Sequence, residues 1–284
     1  MNSPSLLRVI LLLLLLLSIT ILSGLEVTGE FFVEFAPKLT ELSNRLEERG
    51  VPKEWFWEQI ERDNFQFYSN MENFFLNMME HRFDRGEIDL TDYKQHFGVE
   101  RKIRLGRTFI EEHQELLNQI QERNGIDFEL IVAIIGMETN FAEQRQRGNF
   151  YVFDSLVSQF LLIPRRENFA VNQIFELYIF MDKIGRDTDY FIGSFAGASG
   201  WAQFIPSSFN SFFISFEGND ELIDIYSIED NLASIENYLF KHGLRESTIG
   251  SEQHRRNAVF AYNRNNAYVQ AVLYIYEELK KTCF

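Results

Sequence analysis

The sequence has little of the chemistry that sulfur and imidazole groups provide. Among its 284 residues Cys283 is the single cysteine, so neither an intrachain disulfide nor a cysteine zinc cluster can form. The local context of Cys283 offers no activation of a thiolate. The five histidines are scattered, and none has the His-Glu-x-x-His spacing of a helical zinc site. These shortages argue against a metalloenzyme and against a cysteine nucleophile.

Basic residues are also scarce. The chain has 27 Lys and Arg against 42 Asp and Glu, which gives a formal charge of −15. Such a chain repels phosphate groups, and the sequence has no basic patch to offset this, so we expect no nucleic-acid partner. The apolar share of 45% and the charged share of 24% are typical of a globular protein with a substantial core.

The longest apolar run lies near the N-terminus. Arg8 precedes Val9, Ile10 and seven leucines, which is the pattern of a secretory signal. The run is close to membrane-spanning length, about 17 to 25 residues, and no clear cleavage pattern follows it. We therefore expect residues 1–24 to direct export, either as a signal peptide or as a retained membrane anchor.

Apolar residues recur at helical spacing along much of the remaining chain. Leu39, Leu42 and Leu46 predict one helix, which Gly50 and Pro52 end. Further helices are predicted over residues 55–79, 103–120, 128–137, 228–241 and 267–281. Few segments alternate as strands do, so we predict a mainly α fold with a small irregular or β segment.

A glutamate follows the most apolar of these helices. Asp127 is the predicted N-cap, residues 130–137 are apolar apart from Gly136, and Glu138 comes next. Burial at this position would raise the carboxyl pKa toward the range in which a general acid works near neutral pH. A solvated helix end is the ordinary alternative, and this segment alone does not decide between them.

A second segment, residues 193–208, is rich in glycine and serine and predicts a loop. Its small residues let the backbone approach a ligand closely, while Ser194 and Gln203 provide hydrogen-bonding groups. Asp and Glu are absent from residues 193–211. A third segment, Tyr262-Asn263, carries little weight by itself.

Together and in this order, these segments resemble the lytic murein transglycosylases, most closely the membrane-bound lytic transglycosylase B family. The resemblance covers nearly all of the chain after residue 24. Its motifs are Leu130–Ile134 with Met137–Asn140, Phe153–Leu156, Pro164–Glu167, Ala196–Gly200, Gln203–Ser208, Asn237–Leu239 with His242–Gly243, and Tyr262–Asn263. An ordered series of this length is a far stronger signal than any one motif.

The resemblance implies a lysozyme-like catalytic core over residues 122–284, preceded by a helical region over residues 30–121. It also implies that Glu138 is the single acid/base catalyst. Glu138 would protonate the oxygen of the β-1,4 bond between N-acetylmuramic acid and N-acetylglucosamine. It would then deprotonate the muramyl C6 hydroxyl, which closes on C1 as a 1,6-anhydro end. Ordinary glycosidases pair two carboxylates, whereas this mechanism needs no second one.

The resemblance further implies where substrate binds. The matching positions are Ser194, Gln203, Tyr238, Tyr262 and Asn263. Arg165 and Arg166 are cationic candidates for lactyl or peptide carboxylates, and a solvated pair at a helix start is an equal alternative. The expected partner is the peptidoglycan glycan strand. We expect a periplasmic monomer, and cell-wall synthesis proteins remain open as further partners.

Calcium binding is a separate question. Close relatives carry an EF-hand-like calcium loop where this chain has residues 216–225. Here Ser215 and Glu217 replace aspartates, and the spacing to Asp224 is one residue longer. We expect no required cofactor, and calcium held by Glu217, Asn219 and Asp224 stays open.

Two other functions remain alternatives. One is an inactive peptidoglycan-binding envelope protein, against which Glu138, Gln203 and Asn263 all count because they are retained. The other is a lysozyme-like hydrolase, whose product would be heavier than the anhydro product by one water.

Overall fold

The described residues fold mainly into helices, as the apolar spacing predicts. The computed structural model describes residues 31, 33–76, 94–95, 97–141 and 148–281. The predicted signal or anchor, residues 1–24, lies outside this range, as do Met78, Met79 and Cys283. Within the described ranges, no helix combines the length and the hydropathy needed to cross a bilayer.

Two short strands accompany the helices. The helices are α1 (Lys53–Glu61), α2 (Val99–Asn124), α3 (Phe128–Thr139), α4 (Val152–Leu162), α5 (Glu167–Ile184), α6 (Pro206–Phe212), α7 (Ile228–Lys241), α8 (Glu252–Tyr262) and α9 (Asn266–Lys280). Residues 33–47 and 71–76 are also helical. Strands β1 (Phe150–Tyr151) and β2 (Ile192–Gly193) pair antiparallel, with Phe150 opposite Gly193. The prediction of a mainly α fold with a small β segment is confirmed.

The chain divides into two compact units, Met1–Trp57 and Glu58–Phe284. In the first unit, helical residues 33–47 bury Leu39, Leu42 and Leu46, and the chain turns at Gly50, where φ is +94°. The predicted boundary near residue 121 between a helical region and a core lies inside α2, within the second unit. That boundary stays a prediction.

Helix α3 occupies the centre of the second unit. Residues 130–135 have no exposed surface, and α2 and α9 both pack against this helix. A helix that is apolar all round is stable only where neighbouring elements cover every face. The sequence of α3 therefore explains why it becomes the core helix and why its end, Glu138, lies next to the interior.

One predicted helix is interrupted. The apolar pattern over residues 55–79 predicts a continuous helix, but α1 ends at Glu61 and residues 65–68 are not helical. Two backbone N–H groups in this break donate instead to α4: that of Gln66 to the Asp154 carboxylate at 2.8 Å, and that of Tyr68 to Ser158 Oγ at 3.0 Å. The prediction of an unbroken helix was wrong because these tertiary partners replace the helical ones.

Candidate active site

The catalytic candidate lies in the last turn of α3. The helix continues past the predicted end at Met137 and includes Glu138 and Thr139. Asn140 ends it in the left-handed conformation, with φ of +51°, and its N–H donates to the carbonyl of Gly136 at 3.2 Å. Glu138 is therefore held by regular helical backbone directly before a sharp change of direction.

At the other end of α3, Asp127 does not cap the helix with its side chain. Its Oδ2 accepts hydrogen bonds from Lys280 Nζ at 2.7 Å and from the Tyr276 hydroxyl at 2.5 Å, both on α9. The position of the predicted cap was right and its bonding was wrong, because charged and hydroxyl donors from a distant helix replace the local backbone N–H groups.

The carboxyl group of Glu138 meets the interior of the protein. The Tyr268 hydroxyl donates to Oε1 at 2.7 Å. Burial raises the pKa of Glu138 from 4.5 to about 7, although the hydrogen bond from Tyr268 and the positive charge of Lys102 both lower it. A carboxyl with this pKa exists in both protonation states near neutral pH, which suits a group that must first donate and then accept a proton.

Tyr262 connects this carboxyl to the glycine-rich loop. Its hydroxyl donates to the carbonyl of Ala202 at 2.5 Å. Burial raises its pKa well above the ordinary value, and the nearby negative charge of Glu138 adds to the rise. Tyr262 is therefore neutral near pH 7 and acts as a hydrogen-bond donor that fixes the loop beside Glu138.

The loop around Gln203 is held from two sides. On one side Tyr262 binds the carbonyl of Ala202, and on the other the N–H of Ala202 donates to Asn231 Oδ1 at 2.9 Å. Gln203 has a left-handed φ of +48°, and its Nε2 donates to the carbonyl of Gly200 at 2.8 Å. A Cβ at Gly200 would lie 2.6 Å from the carbonyl oxygen of Ile225, so the close approach needs glycine.

Ser194 closes a tight turn at the start of the same loop. Its N–H donates to the carbonyl of Ala198 at 2.8 Å, and its Oγ accepts from the N–H of Ala198 at 3.2 Å. Because that hydroxyl acts as an acceptor inside the protein, its own hydrogen can be directed toward a ligand.

Tyr238 is largely buried in an aromatic cluster. Its ring stacks on His242 with centroids 4.1 Å apart and meets the edges of Phe212 and Tyr262 at 4.5 and 4.8 Å. Burial raises its pKa to about 12. One face of the ring is thus covered by protein, which limits its contact with a sugar to the remaining surface.

Asn263 directly follows Tyr262 at the end of α8. Its N–H donates to the carbonyl of Val259 at 3.0 Å, and its carbonyl accepts from the N–H of Asn265 at 2.7 Å. Asn265 Oδ1 in turn accepts from the N–H groups of Ala267 and Tyr268 and caps α9. The short connection from α8 to α9 therefore places both Asn263 and Tyr268 near the site.

The two arginines occupy different environments. The guanidinium of Arg166 lies over the rings of Phe75 and Phe169, and its Nε donates to Gln159 Oε1 at 2.7 Å. Burial lowers the pKa of Arg166 to about 10, and neighbouring Arg165 adds to the decrease. Arg165 itself is exposed. The alternative of a solvated pair therefore fits Arg165 only.

Contacts join some of the predicted residues and leave others apart. Tyr262 links one group: its ring meets Tyr238, its hydroxyl binds the loop at Ala202, and the charge of Glu138 raises its pKa. Arg166 reaches the loop elsewhere, because Gln159 also donates to the carbonyl of Phe195 at 2.9 Å. The described contacts do not connect Arg165 to the group.

Sequence reasoning missed three residues that build the site: Tyr268, Asn231 and Lys102. Each is buried and contacts a segment distant in the chain. Tyr268 lies on the apolar face of α9 and Asn231 on that of α7. A polar residue on an apolar helix face is the sequence signal that could have identified both. Lys102 lies among exposed arginines, and the sequence offered no such signal.

Residues 34–254 match the family described as transglycosylase SLT domain, which is well over half of the chain. The chain belongs to this family. The resemblance that its motifs predict is confirmed.

Relatives of the SLT domain in this chain include a curated protein and solved structures. Membrane-bound lytic murein transglycosylase B of Escherichia coli (strain K12) is 31% identical over 152 residues, which are 53% of this chain and 41% of that protein. The chain thus matches less than half the length of that relative. Lytic transglycosylase Slt35 of Escherichia coli, solved with calcium, superposes with a TM-score of 0.71 at 19% identity, covering 86% of this chain and 93% of that one.

A solved structure from another organism has a similar fold. Soluble lytic transglycosylase SltB1 of Pseudomonas aeruginosa superposes with a TM-score of 0.67 at 21% identity, covering 85% of this chain and 98% of that one. These likenesses show the fold: a lysozyme-like core with a helical N-terminal region, as the sequence predicts.

The segment considered for calcium binding, residues 216–225, forms hydrogen bonds with other groups of the protein. Asp224 Oδ1 accepts from the Tyr190 hydroxyl at 2.6 Å and from the N–H of Tyr226 at 2.8 Å. Asn219 Oδ1 accepts from the N–H of Glu221 at 3.1 Å, and Glu217 is exposed. Among the described residues, no three His, Cys, Asp or Glu side chains are grouped to hold a metal ion. Calcium binding by Glu217, Asn219 and Asp224 stays an open prediction.

Asp230 also helps to close this segment. Its two carboxylate oxygens accept from the N–H groups of Phe216 at 2.7 Å and Asp224 at 2.8 Å. A buried aspartate thereby bridges the two ends of the loop by hydrogen bonds to its backbone. The expectation that no cofactor is required stays a prediction.

Proposed function

We propose that this protein is a peptidoglycan lytic transglycosylase that cleaves the β-1,4 bond between N-acetylmuramic acid and N-acetylglucosamine and leaves 1,6-anhydromuramyl ends. One observation carries the proposal: in a member of the SLT domain family, Glu138 lies at the end of a buried helix with its pKa raised to about 7. Such a carboxyl can donate and accept a proton within one reaction cycle.

The reaction needs one carboxyl group and no net water. Protonated Glu138 donates to the glycosidic oxygen as the bond from that oxygen to C1 breaks, and the N-acetylglucosamine part leaves as a neutral alcohol. The resulting carboxylate then takes the proton of the C6 hydroxyl while O6 bonds to C1. Because the Tyr268 hydroxyl occupies Oε1, we assign Oε2 to proton transfer.

The glycine-rich loop is the proposed recognition surface. Tyr262 and Asn231 fix the backbone at Ala202, so the neighbouring Gln203 starts from a rigid position. We assign Ser194, Gln203 and Asn263 to hydrogen bonding of the acetamido sugars, with Tyr238 and Tyr262 shaping the apolar wall. Rigid placement of such groups supplies much of the rate in reactions of this kind.

The proposed partner is the glycan strand with its peptide stems. SltB3 of Pseudomonas aeruginosa, solved with NAG-NAM-pentapeptide, superposes on this chain with a TM-score of 0.69 at 22% identity, which supports a substrate of this class. Arg165, as the exposed cation, is the proposed contact for a lactyl or peptide carboxylate, and Arg166 packs beside it on Phe75 and Phe169.

We place this activity in the periplasm. The apolar residues 1–24 would serve as a cleaved signal or as an anchor, and the curated relative from Escherichia coli is named membrane-bound. We propose a monomer, and cell-wall synthesis proteins are candidate partners.

Product analysis tests the proposal. Purified peptidoglycan is incubated with the full chain and with Glu138→Gln, and the soluble products are identified by mass spectrometry. We expect anhydromuropeptides from the wild-type chain and none from the variant. Products heavier by one water would instead identify a hydrolase. No products from the wild-type chain would favour the inactive binding protein.

A further inference from the structure

The chain makes an unusual turn directly after the catalytic candidate. Asn140 and Phe141 have φ values of +51° and +60°, so two consecutive residues other than glycine are left-handed. Such backbone is unfavourable for L-residues and persists only where surrounding groups determine it. The groups that hold this turn therefore also determine where the last turn of α3, with Glu138, is placed.

Helix α2 supplies those groups from one face. Lys102, Gly106 and Phe109 are spaced by four and three residues, which places them in a row along the helix. Lys102 Nζ donates to the carbonyl of Gly136 at 2.6 Å and to Asn140 Oδ1 at 3.3 Å. The turn thus accepts hydrogen bonds from a charged donor on α2, outside the helix α3 that carries Glu138.

The remaining contacts seat the ring of Phe141. It lies 5.3 Å from the ring of Phe109 between centroids. A Cβ at Gly136 would come within 2.7 Å of the Phe141 ring, and a Cβ at Gly106 within 3.5 Å. Gly136 on α3 therefore makes room for the ring, and the ring also packs against Gly106 and Phe109 on α2.

We propose, on the basis of the function proposed above, that Lys102 is a positioning residue: it fixes the end of α3 and the left-handed turn, and so holds the Glu138 carboxyl in place for both proton transfers. Lys102 is 8% exposed, and a lysine is rarely buried so deeply without partners. Its ammonium group lies at a helix C-terminus, where a positive charge is favoured by the helix dipole.

Lys102 also acts on Glu138 through its charge. The groups that face the carboxyl from the packed elements are Lys102 on α2, Tyr268 on α9 and Tyr262 on α8. Among these, Lys102 is the positive charge, and it favours the ionised carboxylate that the second proton transfer needs. Its removal would therefore affect the pH dependence as well as the placement of Glu138.

Four variants of the full chain test this role. Lys102→Met removes the ammonium group, and Lys102→Arg keeps the charge and the donors. Arg104→Met is the matched control, because it removes a charge from an exposed position on the same helix. Phe109→Ala removes packing on Phe141 and leaves the charge of Lys102. Circular dichroism verifies that each variant folds.

Two readouts are measured: the titration of the Glu138 carboxyl by NMR on isotope-labelled protein, assigned with Glu138→Gln, and the pH profiles of kcat and KM. For Lys102→Met we expect the titration midpoint to rise by about half a pH unit. We expect its kcat to fall about tenfold, with a smaller change in KM, because the misplaced group acts in the transition state. Lys102→Arg and Arg104→Met should keep the wild-type midpoint.

Phe109→Ala separates the charge of Lys102 from packing. It should lower kcat with the midpoint unchanged. A wild-type midpoint in Lys102→Met would overturn the proposal, and so would a raised midpoint in Lys102→Arg. If Lys102→Met fails to fold, Lys102→Arg decides: a wild-type midpoint with kcat retained supports the proposal, and a raised midpoint overturns it. Because the NMR titration needs no substrate, a chain that yields no anhydro product would refute the proposed function while leaving this comparison readable.

Discussion

Two carboxyl groups on neighbouring segments, those of Glu138 and Asp154, differ in what surrounds them. Asp154 has no exposed surface; it forms an ion pair with Arg62 and accepts the N–H of Gln66. Glu138 is partly exposed and accepts the neutral hydroxyl of Tyr268. Burial raises the pKa of Asp154 to about 6 and that of Glu138 to about 7. Asp154 connects α4 to the segment of residues 62–66, and Glu138 is exposed enough to exchange its proton with a bound molecule.

Burial raises the pKa of a structural carboxyl group as well as that of a catalytic candidate. Desolvation raises both pKa values, so a raised pKa alone does not identify a catalytic group. What separates the two residues is their bonding: a guanidinium and a backbone N–H fix both oxygens of Asp154, whereas the described donor to Glu138 binds Oε1. Mutation of Glu138 should therefore change activity, and mutation of Asp154 should change stability.

The largest effect is expected for Glu138→Gln. The amide keeps the size of the side chain but cannot donate the acid proton, so kcat should fall by about 10²- to 10⁴-fold with the fold retained. Rates of anhydromuropeptide release and circular dichroism measure both parts. A variant with more than a tenth of wild-type activity would contradict the role of Glu138.

Asp154→Asn should act on stability instead. Removing one partner of a buried pair leaves the side chain of Arg62, which is 13% exposed, with Asp189 at 3.1 Å. We expect the free energy of unfolding to fall by about 3 kcal/mol, measured by denaturant unfolding. Arg62→Met is the matched variant, and the double variant should lose less than the sum of the two. Fully additive losses would show that the pair is not coupled.

The same glutamine at residue 138 should stabilise the fold at high pH. Because the pKa of Glu138 is raised from 4.5 to about 7, its folded state binds the proton more tightly than the unfolded state does. Wild-type stability from this group is fully present below pH 4.5 and is lost as the pH rises through 7. The difference in free energy of unfolding between Glu138→Gln and wild type should therefore be more favourable to the variant at pH 8 than at pH 4, by up to about 3 kcal/mol. A pH-independent difference would refute the raised pKa.

Tyr268→Phe should give the smallest effect. It removes the hydrogen bond that favours the ionised form of Glu138, so the pKa should rise further and activity should persist to a pH about one unit higher. A pH profile of kcat measures this shift. Tyr276→Phe is a matched control on the same helix, since its hydroxyl binds Asp127 instead. An alkaline limb that moves equally in both variants would argue against a specific role of Tyr268.

Much of the fold could be predicted from local patterns, while the partners of the site could not. The apolar run of α3 determines a buried helix by itself, and the motif around Glu138 selects the catalytic candidate. Tyr268 lies 130 residues from Glu138 in the chain, and Asn231 lies 29 residues from Ala202. Only the folded structure brings such pairs together, so neither contact could be read from spacing.

The predictions that were wrong share this cause. Asp127 lies where a cap is expected, but its carboxylate accepts hydrogen bonds from Lys280 and Tyr276 on α9. The helix predicted over residues 55–79 breaks because Asp154 and Ser158 on α4 accept its backbone N–H groups. In each case a tertiary hydrogen bond replaces the local one that the sequence pattern assumes.

The central claim is that Glu138 alone carries out both proton transfers, so that O6 of the sugar and not water attacks C1. Digestion of peptidoglycan in water labelled with heavy oxygen tests it most directly, with products analysed by mass spectrometry. We predict that the new muramyl ends carry no label and have the anhydro mass. Label incorporated at C1 of the new ends in the primary products would contradict the account.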